Sequence, residues 1–146
     1  MNGTVVAIHL TANAGDPLRP VDSVRAVAGS GLEGDRNFGA PGTGRNVTLI
    51  ETETLEALKR DYKLEVPPAD TRRNILTRSI ALNHLVGLEF QIGAARLRGV
   101  ELCEPCGYLA KKTSAAVSKA LVHRGGLRCD VVTDGVIRVG DVIEAS

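Results

Sequence analysis

The chain has 146 residues, enough for one domain built on one core. Hydrophobic residues make up 43% and charged residues 24%, and the net charge is +1, which argues against a general nucleic-acid binder. No apolar run is long enough for a membrane span and the first residues carry no secretory pattern, so the expected setting is the cytoplasm.

Thr4–Leu10 reads as a first strand. After a polar stretch with Gly15, Pro17 and Pro20, Val21–Val27 alternates apolar and polar, the period of a half-buried strand. From Gly29 to Gly44 the glycines predict loop. Asn46–Ile50 is a short buried strand, and a helix is expected near Thr52 as N-cap, with Leu55, Leu58 and Tyr62 along one side. Pro67-Pro68 should end regular structure. Arg72–Thr77 looks like a polar entry into a strand, and Leu82–Val86 like one helical turn closed by Gly87.

Phe90–Ile92 and Ala95–Leu102 alternate again, with Gly93 at the turn between them. Tyr108–Val122 is a helix candidate, stopped by Gly125-Gly126. Arg128–Val132 and Val136–Val139 flank Asp134-Gly135, a hairpin signal. Val142–Glu144 closes the chain. Many short strands with few helices do not make βαβ units. The expected fold is mainly β: residues 1–146 as a single domain, an antiparallel barrel closed or nearly closed, with two or three short helices.

Three cysteines in a reducing compartment point to redox or metal chemistry at Cys103 and Cys106 rather than a structural disulfide. Cys106 follows a proline at a predicted helix start, where the helix N-terminus favours the thiolate. A buried structural thiol is the competing reading. A zinc site from Cys103, Cys106, His123 and Cys129 lacks a second closely spaced ligand pair.

Gly31-Leu32-Glu33-Gly34-Asp35-Arg36, Val47-Thr48-Leu49-Ile50-Glu51, Arg72-Arg73-Asn74-Ile75, Leu82-Asn83-His84-Leu85-Val86-Gly87, Cys103-Glu104-Pro105-Cys106, Arg124-Gly125-Gly126-Leu127-Arg128 and Val139-Gly140-Asp141 occur in this order. The series resembles the MOSC domain, the module at the C-terminal end of molybdenum-cofactor sulfurases. The resemblance implies a β-barrel that binds a molybdenum cofactor (molybdenum-molybdopterin), with Cys106 ligating the metal. It implies one of two chemistries. The first is reduction of N-hydroxylated compounds, fed by an electron-transfer protein. The second is a sulfur-carrier or cofactor-carrier role, with a persulfide on Cys106 supplied by a cysteine desulfurase. A third reading is a non-catalytic barrel that binds an anionic metabolite.

The resemblance also gives roles to the polar residues. Guanidinium forks suit the cofactor's phosphate, which nominates Arg36, Arg45, Arg73, Arg124 and Arg128, with backbone N–H groups at Gly125 and Gly126. On a strand only one of Arg72 and Arg73 faces the pocket, and Arg73 is preferred. Asn46 and Asn74 suit the pterin edge or a strand-entry role. Asp35 orients Arg36, accepts from a pterin N–H, or closes its loop. His123 is the candidate for proton delivery, and Cys103 either resolves an oxidised Cys106 or points inward.

Overall fold

The computed structural model describes residues 1–103 and 125–145. Its strands are β1 (Asn2–Leu10), β2 (Arg19–Val21), β3 (Ser23–Val27), β4 (Gly31–Leu32), β5 (Val47–Glu51), β6 (Ile75–Arg78), β7 (Glu89–Ile92), β8 (Ala95–Leu102), β9 (Leu127–Thr133), β10 (Gly135–Arg138) and β11 (Val142–Ala145). One helix, α1 (Thr52–Tyr62), and two 3-10 turns, Pro68–Thr71 and Leu82–Leu85, complete the described elements.

The strands close a ring in the order β1-β11-β7-β8-β9-β5-β6 and back to β1. This is the expected barrel, seven-stranded, with β2 added beside β1. Closure leaves few open edges, which is what a chain of short strands needs. One pairing, β5 with β6, is parallel. A parallel pair cannot be joined by a tight turn, so α1 and the Pro68–Thr71 turn serve as its crossover.

Period-two burial sets the wall. Along β8 Ala95, Leu97 and Gly99 point in while Arg96 and Arg98 point out. Ile8, Leu49, Ile75, Phe90, Ile92, Leu97, Leu127 and Ile143 fill the interior. Leu58 and Val66, with Leu55 and Leu64 against them, form a satellite core under α1. Gly99 admits the Leu82–Leu85 turn against the wall, since a Cβ there would overlap the Leu85 carbonyl.

Several expectations change. Asp134-Gly135 does not close a hairpin of β9 and β10. A two-residue hairpin turn of that kind needs positive φ at both central residues, and neither Asp134 nor Gly135 has it. The chain stays extended there and passes from the barrel to a second sheet, ordered β10-β3-β4. The Asp134 carboxylate accepts from the Ala28 N–H at 2.6 Å and so ties the corner to the end of β3. The N-cap position of α1 is Glu51 and not Thr52, with no side-chain cap. The Glu51 carboxylate instead accepts from the Leu82 N–H at 3.2 Å. Thr54, Ala57 and Leu58 form the buried face of the helix, and Tyr62 is exposed. Pro68 opens a 3-10 turn rather than ending regular structure, its fixed φ suiting the first turn. The helix expected over Tyr108–Val122 lies outside the described residues.

Candidate anion pocket at the barrel rim

Where β5, β6 and β9 meet, Thr48 of β5 stands opposite Arg128 of β9. Val47 and Leu49 turn inward, so Thr48 and Arg128 share the outer face. Arg72 and Arg73 arrive at the same place before β6 begins. Arg72 ends the Pro68–Thr71 turn in the left-handed region, at φ 63°. This twist breaks strand alternation, and both arginines line one hollow of about 290 Å³ with Gly15, Arg36, Asn37, Thr48, Cys103 and Arg128. The expectation that only Arg73 faces the pocket fails for that reason.

Three of the four guanidinium groups are held by backbone carbonyls. Arg73 Nε donates to the Gly125 carbonyl at 2.8 Å. Arg36 Nη2 donates to the Arg72 carbonyl at 3.2 Å, and Arg72 Nη1 donates to the Asp16 carbonyl. Carbonyl anchors fix a guanidinium without cancelling its charge. Arg36 also meets Asp35 at 3.3 Å, and Asp35, whose side chain is fully buried, accepts from the Thr11 and Asn37 N–H groups at 3.4 Å each. Asp35 therefore closes its loop and orients Arg36 from behind. The described lining holds four arginines and no carboxylate.

The other predicted residues divide. Asn74 is wholly buried. Its Oδ1 accepts from the Thr48 N–H at 3.1 Å and the Thr48 hydroxyl at 3.2 Å, and its Nδ2 donates to the His9 carbonyl at 3.1 Å. It clamps β1 and β5 to the entry of β6, the strand-entry role. Asn46 is buried, accepts from the Val131 N–H at 3.0 Å, and faces a different hollow with Arg98 and Asp130. Gly44 gives its N–H to Asp130 at 2.7 Å. Gly126, at φ 112°, lets the chain pass against the Leu49 carbonyl, which a Cβ would overlap. Arg45 lies in an adjoining hollow. Cys106, His123 and Arg124 lie outside the described residues.

Sequence reasoning missed Arg72, Thr48 and Asn37 as lining residues. For Thr48 a signal existed, since alternation in Val47–Ile50 turns it outward. Cys103 is buried and lines the pocket, its N–H donating to the Gly126 carbonyl at 2.7 Å. Cys129 is sealed in the core, and burial, with Asp130 and Cys103 adding, pushes its thiol well above the ordinary range. Burial lowers the pKa of His9. Among the described residues, no group of three or more His, Cys, Asp and Glu could hold a metal ion. No helix among them is long and apolar enough to cross a membrane.

The MOSC domain model matches residues 33–144. The chain belongs to the MOSC domain family. Solved structures similar to this MOSC chain include the YUAD protein from Bacillus subtilis, at 17% identity and TM-score 0.87, covering 99% of this chain and 95% of that one. YiiM from Geobacillus stearothermophilus is similar at 16% identity and TM-score 0.77, covering 99% and 75%. YiiM from Escherichia coli is similar at 19% identity and TM-score 0.70, covering 98% and 69%. At such identities the likeness establishes the fold alone. No curated protein matches the sequence. In related proteins, MOSC domains bind molybdenum cofactor.

Proposed function

We propose that the pocket holds the phosphate end of a molybdenum-pterin cofactor, with Arg36, Arg72, Arg73 and Arg128 as anion contacts. Cys106 supplies a thiolate to the metal, His123 delivers protons, and the loaded protein reduces N-hydroxylated compounds. The observation that carries this reading is the convergence of four guanidinium groups and Thr48 on one hollow of about 290 Å³.

The donor set fits such a group. Arginine forks bind phosphate oxygens in pairs, and the thiolate is the form of cysteine that ligates a metal. Cys103 lines the pocket, and Cys106 is three residues further along the chain. When bound, molybdenum supplies the two-electron chemistry that N–O reduction requires. The chain's own part is binding and orientation. Carbonyl-anchored Arg36, Arg72 and Arg73 are ordered in advance, so little side-chain freedom is lost on binding. The Thr48 hydroxyl gives its one proton to Asn74, which leaves the arginines as the donors to the anion.

Protein purified from a cofactor-producing host should carry close to one equivalent of molybdenum. Cys106→Ala should lose the metal, and Arg73→Ala should lower its content. With an artificial electron donor, the loaded protein should reduce a hydroxylamine at a rate above the Cys106→Ala control. Molybdenum content unaffected by both substitutions would overturn the reading.

The position of Cys103 in the pocket wall favours a second reading, a sulfur carrier with a persulfide on Cys106 and the second thiol close by in sequence. Incubation with a desulfurase and cysteine would then add the mass of one sulfur, lost in Cys106→Ala. A mass unchanged under those conditions removes this alternative.

A further inference from the structure

The arginine pocket continues past Arg128. A second hollow of about 360 Å³ is lined by Asn37, Gly44, Arg45, Thr48, Glu101 and Arg128. Asn37, Thr48 and Arg128 belong to both, so the two form one groove with Arg128 on the ridge between them. The second hollow has a different character. It sets two arginines beside one carboxylate, where the first holds four arginines.

Glu101 and Arg128 are opposite one another in the β8–β9 register, just past the irregularity at Gly99 to Glu101. Their charged atoms are 3.9 Å apart, with Glu101 64% and Arg128 37% exposed. A contact that long and that open is weak, and Arg128 is available for exchange onto a ligand. An anion in the first pocket leaves Arg45 and Arg128 facing a second anionic group. A carboxylate only accepts hydrogen bonds, so Glu101 selects hydroxyl or amino groups beyond that anion. Two linked phosphates followed by a hydroxyl-bearing group meet all three demands. Each hollow alone lies near the lower end of small-molecule sites, about 300–1,000 Å³, and the joined groove has room for more than a lone phosphate.

We propose that the groove takes a nucleoside diphosphate moiety. One phosphate sits among Arg36, Arg72 and Arg73, the other bridges Arg45 and Arg128, and the sugar hydroxyls meet Glu101. The moiety belongs either to a free nucleotide or to a dinucleotide form of the pterin cofactor. The proposal rests on reading the first pocket as a phosphate site.

Calorimetric titration of the whole chain with inorganic phosphate, pyrophosphate, GDP and CDP tests it. Pyrophosphate should bind about tenfold tighter than phosphate, the yield of one added charge-assisted contact, and a nucleoside diphosphate tighter again. Arg45→Ala should abolish the gain of pyrophosphate over phosphate. Glu101→Gln should tighten pyrophosphate about two- to fivefold by releasing Arg128, while erasing the extra affinity contributed by the nucleoside. That opposed pair of effects is not what a merely structural role produces. If Arg45→Ala and Glu101→Gln change nothing while Arg73→Lys weakens every ligand, the second subsite is wrong and the first pocket stands. If phosphate and pyrophosphate fail to bind, or Arg73→Lys leaves them unchanged, the phosphate reading falls with it. Acid extracts of the purified protein separate the sources: nucleotide with equimolar pterin marks the cofactor, and nucleotide alone marks the free ligand.

Discussion

Replacing Asn74 by alanine removes a side chain that ties three strands together under the pocket. The Thr48 N–H and hydroxyl lose their acceptor, and the His9 carbonyl loses its donor. The Thr48 hydroxyl still accepts from the Asn74 N–H at 3.1 Å, so its loss is partial. The Thr48 N–H and the His9 carbonyl are stranded, each at a cost of about 1–3 kcal/mol when buried. Thr48 is only half buried, which lets water recover part of that. The expected loss is about 2–5 kcal/mol, a large share of the roughly 5–15 kcal/mol that holds a domain together. For a chain of this size, each kcal/mol lowers Tm by about 2–4 °C, so a fall of about 4–20 °C is expected. Thermal and urea unfolding followed by circular dichroism measure it, alongside phosphate affinity. A variant that melts within about 1 °C of the parent yet binds phosphate more weakly would refute the clamp. It would return Asn74 to the role of a ligand contact.

Three further outcomes follow from the same geometry. Arg73→Ala should weaken phosphate binding by about 2–5 kcal/mol, because the group is buried and anchored to Gly125. Equal affinity in parent and variant would exclude Arg73 as a contact. Gly126→Ala adds a Cβ into the Leu49 carbonyl at φ 112° and should cost roughly 3 kcal/mol or more; soluble yield and Tm report it, and an unchanged Tm contradicts the close approach. His9 has its pKa lowered by burial from 6.5, so the unfolded chain takes up the proton first. Its contribution to stability is complete above pH 6.5 and is lost as pH falls toward the depressed folded value. His9→Gln should flatten the stability curve just below pH 6.5, and an unaltered slope speaks against it.

Which residues point inward was written in the chain. Alternation in Ala95–Leu102, and the β-branched runs around Ile8, Leu49 and Ile143, mark core faces because side-chain direction along a strand has a period of two. The glycine spacing of residues 29–44 marked a loop, which the structure interrupts with the short strand β4 where Gly31 and Leu32 pair with β3, and Arg36 with its partner Asp35 emerged from the rest of it as a pocket residue. The order of the short motifs was enough to place the chain among MOSC domains.

Pairing and convergence were settled only by tertiary structure. Asp134-Gly135 carries a hairpin signal, yet its backbone stays extended, because β10 gains its ladder from β3. Asn46 and Asn74 look alike in sequence, but the first bonds to β9 on another face and the second clamps β1 to β5. Arg72 joined Arg73 in the pocket because a left-handed residue at the end of a 3-10 turn rotated it there. The physical reason is one of range. Local pattern fixes which way a side chain leaves its own strand, while the neighbours it meets depend on contacts between segments far apart in the chain, which periodicity does not encode.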